Sequence, residues 1–165
     1  MDIATKAAGG FMAILYLTLL LHGHIQSPDQ IPGGVDLREM GYLAGAIECE
    51  NGSNSVKCRL LTGSVVLNRI ASPNWHGSNV EEVIMAKDGG FIQYATPTRN
   101  NFKTKKCSEL TKAIAKYLLI FGPICPSNVM YQGQNKYAGS GVFDYCDTPD
   151  GKEWFCYEQE TDHFY

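Results

Sequence analysis

The chain reads as an α+β fold, helices first and a small antiparallel sheet last. Three observations predict it. Apolar residues recur at helical spacing over residues 37–70 and again over 108–121. After Pro126 the pattern changes to short β-branched and aromatic runs: NVMYQ at 128–132, GVFDY at 141–145 and EWFCY at 153–157. Thr148-Pro149-Asp150-Gly151 supplies a turn between the last two runs.

The elements follow in order. Residues 1–6 are a short polar lead with one lysine, and 11–21 (FMAILYLTLLL) are continuously apolar. The uncharged stretch 7–23 is short for a full membrane span and suits the core of a signal peptide. A signal peptide therefore ranks first, a membrane anchor second and a buried core helix third. Gly23 and Ser27 are the nearest candidates for a cleavage site. Residues 27–34 (SPDQIPGG) read as a linker, which divides an N-terminal segment, 1–34, from a domain, 35–165. Asp36 and Glu39 form a capping-box pattern, so a helix starts there. Leu37, Met40, Leu43, Ala44 and Ile47 make its apolar stripe, and Gly52 offers a stop. A second helix spans 60–70 and ends before Pro73; a third, short one covers 79–86. Residues 88–106 are a long polar loop. Leu110, Ile114, Tyr117, Leu118 and Phe121 line one face of the last helix, which Gly122-Pro123 closes.

Composition excludes some partners. The net charge is −3 and no basic run is present, so a nucleic-acid partner is not expected. Lys103, Lys105 and Lys106 are the densest basic cluster, and they fall in the polar loop. Six cysteines, Cys49, Cys58, Cys107, Cys125, Cys146 and Cys156, point to disulfides and an oxidising compartment. Zinc is the competing use of thiols, but no C-x-x-C pair occurs, and His76 and His163 lie far from any cysteine knuckle. Sequence neighbours offer one pairing scheme (Cys49–Cys58, Cys107–Cys125, Cys146–Cys156), although spacing leaves connectivity open.

Two glutamates compete for acid chemistry. Glu48 and Glu50 sit two residues apart on one helix and point about 160° away from each other. Periodicity does not choose between them. Glu50 lies nearer the helix C-terminus, where the macrodipole is negative and favours a protonated carboxyl. Solvated flanking glutamates remain the plain alternative for both.

Residues 43–50 (LAGAIECE) and 63–70 (GSVVLNRI) resemble the core motif of the SleB-type cell wall hydrolases, peptidoglycan-cleaving enzymes of bacterial spores and bacteriophages. In that family an L-A-x-x-I-x-x-E segment ends in the catalytic glutamate and a V-x-x-V-x-L-N-R helix follows. The family glutamate falls on Glu50. The likeness continues through Ser72-Pro73, Val83-Ile84, residues 128–132, GSGVF at 139–143 and Phe155-Cys156-Tyr157, and so covers about 36–157. There are two departures. Trp75-His76 stands where the family has Phe-Pro. The family's Gly-Gln-Phe/Tyr element meets GGFIQY at 89–94: either Gly90 replaces the glutamine, or Gln93-Tyr94 is the match after an insertion.

The resemblance implies a lysozyme-like fold, with a helical lobe and a small sheet flanking a glycan cleft. It implies cleavage between MurNAc and GlcNAc, as a lytic transglycosylase or muramidase, by one glutamate acting first as acid and then as base. Neither metal nor organic cofactor is expected. A two-carboxylate glycosidase would need a partner at defined separation, and Asp88 and Asp144 are the candidates. Asn68, Gln93, Tyr94 and Tyr131 are the expected substrate-binding or supporting residues. Asn68 serves equally well as a structural tie, and Arg69 as a link between lobes. Tyr137 and Trp154 suit sugar stacking or packing under the sheet. The partner implied is peptidoglycan, with membrane association through residues 7–23 as a further possibility. The expected location is extracytoplasmic, by export, membrane anchoring or release during phage lysis. The rival reading is a disulfide-stapled secreted module that binds cell wall with little turnover.

Overall fold

Side-chain caps start the helices that build the core. Asp36 accepts from the amides of Arg38 and Glu39, Ser55 from Cys58, Asn79 from Glu82 and Ser108 from Thr111. The computed structural model describes residues 3–72, 75, 77–88, 91–92, 94, 106–136 and 139–158. Its helices are α1 (Ile3–Leu21), α2 (Leu37–Asn51), α3 (Val56–Ala71), α4 (Val80–Met85) and α5 (Glu109–Phe121), with a 3-10 turn at Pro28–Gln30. A two-stranded ribbon, β1 (Lys87–Asp88) and β2 (Phe91–Ile92), follows α4. The sheet is β3 (Val129–Gly133), β4 (Val142–Thr148) and β5 (Gly151–Tyr157). The fold is α+β. Ser55 moves the start of the second helix to Val56, a turn ahead of its apolar run. The expected capping box is only half made: Glu39 does not reach back but accepts from the Val80 amide at 2.9 Å, tying α2 to α4.

The sheet is antiparallel with order β3-β5-β4, so the last strand lies in the middle. Helix α3 sits between the helices and this sheet. Towards α2 and α5 it contributes Leu60 and Val66 to a cluster with Leu43, Ile47, Ile114 and Leu118. Towards the sheet, Cys58, Leu61 and Val65 pack on Val129, Cys146 and Phe155. Gly63 permits the close helix approach: a Cβ there would collide with Leu118 and lie 2.9 Å from Ile47 Cδ1.

Two N-terminal expectations change. Residues 27–34 are docked rather than free: Ile31 is fully buried, and Lys116 Nζ on α5 donates to the Pro28 carbonyl at 3.1 Å. Helix α1 also rests on α5. Tyr16 stacks on Phe121 with ring centroids 5.8 Å apart, Tyr117 Oη donates to the Ala13 carbonyl at 3.2 Å, and Leu20 is buried. Phe11, Ile14, Leu15 and Leu21 remain exposed. No described helix is long and apolar enough to cross a membrane.

Candidate functional site

Glu50 lies in the last turn of α2, half-buried, with its Oε1 shielded from solvent. The next residue, Asn51, is fixed in the core: its Nδ2 donates to Thr62 Oγ1 at 2.6 Å, and its Oδ1 accepts from the Cys58 thiol at 3.2 Å. Cys58 in turn touches Cys146 on β4, and Cys146 is paired in register with Glu153 on β5. The side chains of directly opposed strand residues share a face, and residues two apart on a strand do too. Glu153 therefore shares the helix-facing side of the sheet with Phe155. Gln132, opposite Phe155, joins them there.

This convergence has an electrostatic signature. Burial, and after it the charge of Glu50, pushes the Glu153 carboxyl up to about 7. The Tyr94 phenol is raised too, by burial first and also by Glu50, with Arg69 opposing. Glu50 thus lies within electrostatic range of both Glu153 and Tyr94. Tyr94 is 2% exposed, and its Oη is buried with no hydrogen-bond partner among the described residues; the Oε1 of Gln132 is the same. Orphaned buried polar atoms are costly and call for a ligand, water or ion.

Glu48 does something else. Its carboxylate accepts from the Ser108 amide at 3.3 Å and from Ser108 Oγ at 3.1 Å, at the N-terminus of α5. Burial alone would raise it, but hydrogen bonds from Thr111 and Ser108 outweigh that and hold it below the ordinary carboxylate value. It is an ionised helix brace. The tertiary contacts thereby separate the two glutamates that periodicity left equivalent.

The remaining expected residues divide. Asn68 points away from the acid: its Nδ2 donates to the Pro126 carbonyl at 2.7 Å and the Val129 carbonyl at 3.1 Å, tying α3 to β3. Arg69 makes a second tie through Nε to the Met130 carbonyl at 2.8 Å. Its guanidinium stacks 4.1 Å from the Trp75 ring centroid and 5.2 Å from that of Tyr94. Tyr131 meets Trp75 edge-on at 5.6 Å and lies on the sheet face opposite Gln132, so it supports the aromatic stack rather than the carboxylates. Gln93, His76 and Tyr137 lie outside the described residues. Asp144 is bound to Lys57, and Trp154 packs on Tyr145 across the outer sheet face. Asp144 is thus engaged by Lys57, and for Asp88 only the backbone, in β1, is described.

Sequence reasoning missed Glu153, Gln132 and the place of Trp75. A signal existed for the first: in EWFCY the glutamate is two residues from Phe155, so a charge falls on the apolar face of a strand.

The neighbour pairing of cysteines is also overturned. Among the described residues no disulfide is formed. Cys107 and Cys125 stand beyond opposite ends of α5, whose 13 residues span roughly 20 Å. Cys146 and Cys156 occupy opposite faces of the sheet, because Cys146 opposes Glu153 and Cys156 is three residues further on. Cys58 packs with Cys146, whereas Cys49 belongs to the helical cluster. In comparisons with protein-family models, curated proteins and solved structures, nothing matches this chain.

Proposed function

We propose that the chain is a peptidoglycan glycosidase of lysozyme-like architecture, with Glu50 as its general acid and base. One observation carries the proposal: a half-buried glutamate at the end of α2 lies within electrostatic range of a carboxyl that keeps its proton near neutral pH. Neighbouring carboxyls in a low dielectric resist double ionisation, so a proton stays available in the pocket. Tyr94 and Gln132 add a phenol and an amide suited to sugar hydroxyls. The ordered resemblance to SleB-type hydrolases supports the same assignment and supplies its substrate, the bond between MurNAc and GlcNAc.

In the mechanism Glu50 takes up the proton that the linked Glu153 carboxyl holds and gives it to the glycosidic oxygen as the bond breaks. It then removes a proton from the nucleophile. If that nucleophile is the substrate's own hydroxyl, an anhydro ring closes and Glu50 is its sole base. If it is water, Glu153 is the second carboxylate, since it is electrostatically linked to Glu50.

Glu50→Gln is isosteric and removes only the transferable proton. It should lower the rate of turbidity loss of purified sacculi by roughly two to four orders of magnitude while leaving the circular dichroism unchanged. Glu48→Gln should keep activity. Full activity in Glu50→Gln, or wild-type protein that sediments with sacculi but never clears them, would replace the enzyme with a wall-binding module. Digestion in heavy-oxygen water separates the routes: anhydro ends carry no label, whereas a water nucleophile labels the new reducing end.

A further inference from the structure

Cys58 and Cys146 come from distant parts of the chain and meet where α3 packs on the sheet. Cys58 stands in the first turn of α3, Cys146 midway along β4, and both are buried. Both belong to the small buried cluster between α3 and the sheet. The residues beside them are tied together: Lys57 Nζ donates to Asp144 Oδ1 at 2.8 Å and to the Tyr145 carbonyl at 3.4 Å. Two buried thiols in one cluster, on elements clamped by their neighbours, are placed to form an S–S bond of ~2.05 Å. We propose that Cys58 and Cys146 are a redox-active dithiol, which closes into a disulfide by exchange with a small-molecule disulfide such as oxidised glutathione.

The two thiols have different roles. Cys146 lines an open surface pocket of about 440 Å³ together with Ser55, Lys57, Asp144, Tyr145 and Asp147. Cys58 lies behind it, fully buried. Cys58, and then Lys57 and Ser55, hold the Cys146 thiol below its ordinary value, against burial and Asp144. Cys146 and burial push Cys58 up. Cys146 is therefore the attacking thiolate, reached from the pocket, and Cys58 the resolving thiol.

The exchange balances. The Cys146 thiolate attacks one sulfur of the glutathione disulfide, the S–S bond breaks, and one glutathione leaves as thiolate. Cys58 then loses its proton and attacks the Cys146 sulfur, expelling the second glutathione. Two protein thiols are oxidised, one small disulfide is reduced, and both protons end on glutathione. The crosslink would join the start of α3, next to Asn51, to the strand residue opposite Glu153. It would fix the spacing of the two carboxyls. The bond does not depend on glycan cleavage and is tested separately from it.

The experiment uses the full chain, reduced and then equilibrated with oxidised glutathione, alkylated and mapped without reductant. The expected result is a Cys58–Cys146 linked peptide and a rise in Tm of roughly 10 °C over the reduced form. Cys58→Ser should trap glutathione on Cys146, and Cys146→Ser should leave Cys58 unmodified. Both thiols remaining alkylatable, either one bonded to a different cysteine, or glutathione appearing on Cys58 first would overturn the proposal. If the serine variants do not fold, the wild-type map decides alone.

Discussion

At the scale of single residues, Glu153 is a group whose chemistry departs from that of its free side chain. An exposed glutamate would ionise near 4.5, whereas this one titrates at about 7 because burial and Glu50 disfavour its charge. A carboxyl raised on folding makes stability depend on pH in a definite direction. The folded chain holds the extra proton between about 4.5 and 7. This contribution is thus complete below 4.5 and is lost as pH rises through 7. Glu153→Gln cannot ionise and should abolish that loss. Tm at pH 5 and pH 8 should differ more in the wild type than in the variant, once the common trend is subtracted. A wild-type difference no larger than the variant's would mean that Glu153 is ionised and solvated. Glu48 illustrates the same dependence on surroundings, since its hydrogen bonds to Ser108 hold it as an ionised helix brace two positions before Glu50.

At the scale of elements, α3 carries most of the architecture. Its apolar residues point both to the helices and to the sheet, and its C-terminal half ties β3 through Asn68 and Arg69. Close packing on α2 and α5 rests on Gly63, whose added Cβ would overlap Leu118. Gly63→Ala improves intrinsic helix propensity by up to about 1 kcal/mol, yet overpacking costs roughly 1–3 kcal/mol, so packing decides the sign. Denaturant unfolding should show a net loss of stability. A gain would mean that Leu118 and Ile47 yield easily. The helix boundaries followed from local chemistry, with caps and apolar spacing placing α2, α4 and α5 within a residue or two. The strands were legible as segments but not as an order, because β5 inserts between β3 and β4 through contacts remote in sequence.

At the scale of the whole molecule, the N-terminal segment is an accessory layer. Helix α1 covers α5 through Tyr16 and adds Leu20 to the core cluster, while α2, α3 and α5 also pack directly on one another. A chain beginning at His24 should therefore still unfold cooperatively, with Tm lowered by several degrees, because Phe121 and Tyr117 lose an apolar cover. Thermal denaturation of the two forms side by side makes the comparison. Loss of the transition altogether would make α1 an integral part of the core.

Local pattern and composition were enough for the α+β class, the extent of most helices and the three strand segments. These depend on periodicity, capping and turn chemistry, which act over a few residues. Tertiary structure alone decided the rest. It put Glu48 on α5, seated Ile31 in the core, turned Asn68 to the Pro126 and Val129 carbonyls, and set Cys58 against Cys146. Above all it put Glu153 within electrostatic range of Glu50. That meeting depends on strand register and on the packing of β5 against α3, and neither the parity of a strand face nor its distance from a helix end is written in nearest-neighbour spacing.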